Sequence, residues 1–213
     1  MTVNTGAAAR NTEPESWWRS HSGRLPGWGE SYVDLELSAE FIGDYEVQSI
    51  PGLLQTENYA TAQIRFGSAA TEEAVARRAR SRIARQEILG RANPPRLQAV
   101  IDEGALRRPI GGPDVMRGQL RHLIRMAAHP AVTLQILPFD VGGHAALGGP
   151  FIVLRLPGPD PRELVYLEQL SSAAYLDDEA SVDAYLRVLD QLASAARPPS
   201  DTPAVLEDLL AAM

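Results

Sequence analysis

The hydrophobic pattern of the chain changes period close to residue 50. Tyr45, Val47 and Ser49 alternate with Glu46, Gln48 and Ile50, which predicts a short half-buried strand. Pro51-Gly52 ends that strand. Leu53, Leu54, Tyr59, Ala60 and Ile64 then recur at helical spacing. A strand therefore turns sharply into a helix, and Gln55, Thr56, Glu57 and Asn58 crowd the turn. Taken alone, this is a corner plugged by Leu53 and Leu54.

The rest of the chain reads as alternating helices and strands. Residues 1–16 are small, polar and aperiodic, so a disordered tail is expected before a single domain over 17–213. Trp17, Trp18 and Trp28 follow, and apolar area of that size is expected to be covered. Tyr32, Leu35, Leu37 and Phe41 predict a helix that ends at Gly43-Asp44. Residues 71–90 predict another, with Thr71 as N-cap and Val75, Ala79, Ile83 and Ile88 inward. Arg77, Arg78, Arg80, Arg82 and Arg85 spread around its remaining surface. That spread reads as a solvated, ion-paired face rather than a phosphate-binding one.

Beyond Pro94-Pro95, residues 96–106 predict a strand and turn, and Val115 to Ala127 a helical stripe. Residues 131–140 and 150–157 read as two strands that pair across the glycine-rich 141–149 loop. Strands over 163–170 and 171–176 follow. Two helices close the chain, the last capped by Thr202 with Pro203 at its first position. The strands cluster at 131–176. This predicts an α+β fold with a mostly antiparallel sheet and helices packed on one side.

Composition narrows the function. At 213 residues and 45% hydrophobic content the chain is long enough for a sizeable core. It has no cysteine, which excludes disulfides, thiol catalysis and Cys-ligated zinc. No signal-peptide core or membrane-length apolar run is visible, so a cytoplasmic protein without membrane contact is expected. Net charge is −7, which argues against a duplex-binding surface. All 20 basic residues are Arg, a mark of a GC-rich coding sequence rather than of mechanism.

The sequence offers little ready-made chemistry. His21, His122, His129 and His144 fall in no metal-ligand spacing, so neither a metal nor a cofactor is expected. The glycine loop lacks the Gly-Lys-Ser/Thr ending of a phosphate loop, and no G-x-S-x-G elbow exists. Asp102 and Glu103 are adjacent on a strand and point to opposite faces, so they form no dyad. Tyr166 and Glu168 lie two apart on a strand and share a face. A Glu on an otherwise apolar strand is costly to bury unless paired or protonated. A site is therefore expected among Tyr166, Glu168, the strand end at Glu103, the corner at Gln55 and the loop around His144. Glu168 and His144 are its candidate acid–base groups. The competing reading is that Tyr166 and Glu168 lie on the solvent side of the sheet.

Several segments, in order, resemble one family: VQSIPGLLQTENYATAQIR, RQEIL, IDEGALRRPIGG, VMRGQLRHLIRMA, VTLQILPFDVGGHAALGGPFIVLRL and VYLEQL. They resemble the actinobacterial VPGLLQT-motif domain found behind the helix-turn-helix of XRE-type, antitoxin-like transcriptional regulators. The resemblance covers about residues 17–210, with Ile50 in place of the usual Val. It implies an effector-sensing or partner-binding module. Only residues 1–16 precede Trp17, too few for a helix-turn-helix, so no direct specific DNA binding by this chain is expected. The expected partner is a small molecule or a protein. A homodimer through Trp17, Trp18 and the Arg-rich helix is a further possibility. The alternative function is a stand-alone cyclase, isomerase or hydrolase of secondary metabolism, which needs little beyond a shaped cavity and one acid or base.

Overall fold

A computed structural model describes residues 27–66, 71–159, 162–170 and 172–213. The 1–16 tail and the Trp17–Trp18 pair lie outside the described residues.

Helix α1 (Gly27–Ser38) leads into strand β1 (Phe41–Glu46). The helix predicted up to Gly43-Asp44 therefore stops earlier. Glu40 donates its N–H to Arg155 O, so sheet pairing has already begun where the helical pattern was still being read. A 3₁₀ turn (Gly52–Leu54) precedes α2 (Glu57–Phe66) and α3 (Glu72–Arg85). Thr71 caps α3 as predicted, its side chain accepting the Ala74 N–H. Then come β2 (Arg96–Asp102), α4 (Glu103–Arg107), α5 (Pro113–Ala127) and β3 (Val132–Leu137). Strands β4 (Phe151–Leu156), β5 (Arg162–Glu168) and β6 (Ala173–Leu176) precede α6 (Glu179–Ala195) and α7 (Thr202–Ala211).

The six strands form one sheet in the order β3-β2-β1-β4-β5-β6. It is mixed, not mostly antiparallel. β1, β2 and β3 run parallel, while β1–β4, β4–β5 and β5–β6 are antiparallel. Parallel neighbours need long crossovers, and α2–α3 and α4–α5 supply them.

The hairpin expected between β3 and β4 does not form. β4 pairs with β1, Tyr45 facing Phe151 and Phe41 facing Arg155. A tight hairpin needs a connection of a few residues. The 138–150 segment is longer, and it spans the three strand spacings, roughly 14–15 Å, that carry the chain past β2 and β1.

Helices cover both faces, not one side. On one face Ile42, Ile101, Ile136, Leu154 and Tyr166 pack with residues of α1, α2, α4, α5 and α7. On the other, Phe41, Tyr45, Val100, Phe151 and Val165 pack with Val182, Leu189 and Leu192 of α6. Alternation along β1 sends neighbouring residues to opposite cores. Thr202 does not cap α7. It is fully buried and its hydroxyl donates to Leu134 O at 2.6 Å, tying α7 to β3.

Gly43 marks the closest approach of α6 to the sheet. A Cβ there would lie 2.4 Å from Leu189 Cδ2, inside van der Waals contact. Gly43→Ala should therefore lower stability by about 1–3 kcal/mol through overpacking. Urea denaturation followed by circular dichroism will check this; an unchanged midpoint would show that α6 shifts freely.

Candidate functional site

The carboxyl ends of β1, β2 and β3 lie together at one edge of the sheet. The chain winds outward from β1 to β3, then crosses back to place β4 on the other side of β1. The switch point therefore lies at the end of β1, where open sheets of this kind leave a crevice. There Asp44 and Glu46 face the side of α1 and α3, while Tyr45 faces α6.

The Asp44 side is a polar layer under helices. Arg85 of α3 donates from Nε and Nη2 to the two oxygens of Glu36 on α1, both at 2.7 Å. Tyr32 donates its hydroxyl to the same Glu36 at 2.6 Å. Glu36 is only 1% exposed, so this charge depends on its partners. Tyr32 stacks on Tyr166 with ring centroids 4.3 Å apart, and Tyr166 leans on Tyr175 at 5.2 Å. Arg85 also lies over the Tyr32 ring.

Arg82, one turn before Arg85, makes a second arrangement. Its Nη1 donates to Gln63 Oε1 at 2.8 Å and to Gln55 Oε1 at 3.2 Å. Gln55 Nε2 donates to Ile50 O at 2.7 Å and to Gln63 Oε1 at 2.9 Å. Gln55 thus locks the corner and aims Arg82. The two most inward arginines of α3 belong to buried polar chemistry, contrary to the solvated face read from their spread. Burial and the neighbouring Arg85 hold the Arg82 pKa below its usual value, so the charge is carried at a cost.

Two carboxyls of β1 lie beside these arginines. Asp44 is 4% exposed, and among the described residues its Oδ1 has no hydrogen-bond partner. Burial, with the charges of Glu46 and Glu36, pushes its pKa well above the usual carboxylate range. Glu46 is half-buried and accepts a hydrogen bond from Ser49 at 3.3 Å. Burial, reinforced by Glu168, pushes it up to about 7.

The residues expected to share one pocket divide between the two faces. Gln55, Tyr166 and Glu168 lie on the polar side with Glu46 and Arg82. Glu168 is exposed rather than buried. It is the last residue of β5 and faces the small Ala173, so nothing large covers it. The buried-carboxyl role expected of Glu168 falls to Asp44 and Glu46.

His144 lies on the α6 side, its Nε2 3.4 Å from the Tyr45 hydroxyl. Its Nδ1 accepts the Ala146 N–H at 3.2 Å, which selects the tautomer with hydrogen on Nε2. Burial, and then Asp102, raise the Tyr45 pKa to about 12. Glu103 is a staple. It accepts the Phe139 N–H at 3.0 Å and pairs with Arg107 at 2.6 Å, anchoring the 138–150 segment to the end of β2.

Sequence reasoning missed Gln119 and Gln86. Gln119 is fully buried; its amide donates to Leu54 O and accepts the Thr56 N–H, both at 2.7 Å. Gln86 donates to Gln55 O at 2.7 Å. Both clamp the corner after Pro51. The signal for Gln119 was its place in the inward stripe of α5, between Met116 and Leu123.

A family model described as a domain of unknown function (DUF5753) matches residues 30–208. The chain belongs to the DUF5753 family. Comparison with curated proteins and with solved structures gives no match for this chain. The DUF5753 match takes in both faces of the switch point, from Tyr32 through α6. Among the described residues of this DUF5753 domain, no group of three or more His, Asp or Glu is placed to hold a metal ion. None of the helices described is long and apolar enough to cross a membrane.

Glu36→Gln leaves Arg85 buried beside a neutral partner and should cost about 3–5 kcal/mol. The double change Glu36→Met with Arg85→Met should cost clearly less; equal losses would show that packing, not charge, holds α1 to α3. Glu46 supplies a pH test. Its native pKa of about 7 exceeds its ordinary 4.5, so below pH 4.5 it is protonated in both folded and unfolded states and its own contribution to stability is greatest. As pH rises from 4.5 to 7, only the unfolded chain gains from ionisation, and stability falls. Denaturation midpoints across this window should decline in the parent chain and be flatter in Glu46→Gln.

Proposed function

We propose that this chain is an effector-sensing module of the antitoxin-like regulator type. Its effector is a small polar molecule that docks at the Glu46–Arg82 end of β1. The observation that carries this reading is the pair of β1 carboxyls, Asp44 and Glu46, buried or half-buried without a salt bridge at the switch point. A core position gains nothing from such groups, whereas a ligand with complementary donors would satisfy them. Arg82 adds a half-buried cation whose bonds to Gln55 and Gln63 use only Nη1. Exposed Glu168 and half-buried Tyr175 form the outer rim.

A second reading, a stand-alone enzyme of the cyclase, isomerase or hydrolase type, draws on Glu46. A carboxyl that titrates near pH 7 suits a general acid or base. The two readings separate on one variant. Under the sensor reading, Glu46→Gln weakens retention of the ligand and no product forms with the parent protein. Under the enzyme reading, the parent protein converts the bound compound and Glu46→Gln stops conversion.

Equilibrium dialysis against a library of amino acids, amines and sugar derivatives, read by mass spectrometry, tests the sensor reading. The parent chain should retain at least one compound that Glu46→Gln and Arg82→Met release. Retention of nothing, or equal retention by both variants, would overturn it. With net charge −7, the chain alone should select no sequence from a random duplex pool in a gel-shift assay at physiological salt. A sequence-dependent band would refute that expectation.

A further inference from the structure

A cleft of about 310 Å³ opens on the opposite side of the same sheet edge, between the glycine-rich loop and α6. Its volume is at the small end of ligand sites, which run from roughly 300 to 1,000 Å³. Phe151 and Tyr185 meet edge to face at 5.0 Å and form one side. Leu167 and Val188 form another. The loop passes over the opening through Gly148 and Gly149. A Cβ at either glycine would meet no heavy atom within 4 Å, so open space lies beside both.

The loop is held in place from below. Ala146 is buried, His144 contacts Tyr45, and Glu103 accepts the Phe139 N–H.

Charge is the informative property of the lining. Among the described residues no Arg or His is part of it, and Glu168 is its one charged residue. Strand alternation sends the Glu168 carboxylate to the other face with Tyr166, where it acts on Glu46 and Tyr175. An ionic ligand in the cleft would lose hydration without gaining a partner. An aromatic one would gain edge-to-face contacts with Phe151 and Tyr185.

We infer that this cleft is a second binding site, separate from the Glu46–Arg82 end, and that it takes an uncharged, ring-bearing small molecule. The Tyr185 hydroxyl and the Gln169 amide are the polar groups available to orient it.

Fluorescence titration of the full chain with Nile red, an uncharged ring-bearing dye, tests this. Saturable, equimolar binding with blue-shifted emission is expected. The anionic dye 1-anilinonaphthalene-8-sulfonate should bind roughly tenfold more weakly or worse. Ala184→Trp fills the cleft and Val188→Glu puts a charge into it; each should weaken Nile red roughly tenfold or more. Circular dichroism identifies any variant that fails to fold, and the other then decides. Leu147→Ser and Leu170→Ser remove exposed apolar side chains on nearby loops and should leave affinity unchanged. Glu46→Gln should also leave it unchanged, which keeps this site distinct from the one proposed above. Unsaturable binding, parent-like binding by the cleft variants, or loss of binding in the loop-leucine variants would overturn the inference.

Discussion

The burial of β1 on both faces is the constraint that the rest of the fold follows. It is hydrogen-bonded to β2 on one side and β4 on the other, so it has no free edge. Ile42 serves the core under α1, α2, α4, α5 and α7; Phe41 and Tyr45 serve the core under α6. Gly43 lets α6 approach because it adds no side chain between them. The same six residues divide the parallel half of the sheet from the antiparallel half. Local period could not reveal this central position, because it reports which residues share a face and not which strands become neighbours.

That limit explains what was legible. The helix after the corner was readable because Pro51-Gly52 and the buried Leu53-Leu54 act locally. The strand read over 45–50 is in fact β1 at Phe41–Glu46, and residues 47–50 lie beyond it because sheet pairing with β2 and β4 sets its bounds. The helices at 72–85, 113–127 and 179–195 were readable because their apolar stripes and caps are local as well. The β3–β4 relation was not, since the choice of β1 as partner depends on the whole sheet. The site was half legible. The two-residue spacing of Tyr166 and Glu168 correctly gave a shared face, but spacing carries no information about depth. Tyr166 is buried between Tyr32 and Tyr175, while Glu168, one pleat further on, has run past its cover. His144, in the loop before β4, meets Tyr45 on the α6 side, and Glu103, the first residue of α4, holds the Phe139 N–H, so neither joins Tyr166.

The arginine chemistry follows from packing rather than from composition. Guanidinium is planar and weakly hydrated, so it tolerates partial burial when its donors are matched. Arg85 meets both oxygens of Glu36 and lies over Tyr32, using its plane and its charge together. Arg82 meets only amide oxygens through Nη1. The Arg85 arrangement does not suit a lysine, which offers a point charge without a fork. At Arg85, therefore, the guanidinium has a structural use that composition alone did not reveal.

Among the described residues the buried polar side chains are otherwise matched, His122 Nε2 aside. Glu36, Gln55, Gln119, Gln135 and Thr202 each meet named partners at 2.6–3.2 Å. Against that background the end of β1 is an exception. Asp44 has an unpartnered oxygen and Glu46 is held near neutrality by burial and like charge. An apolar residue at position 44, flanked by Ala99 and Ile152 in the sheet, would satisfy the fold at lower cost. Local rules are broken in folded proteins chiefly where function requires it. The cost falls at the end of β1, where the chain reverses its winding direction. Two constraints, one electrostatic and one topological, thus meet on the same two residues of β1.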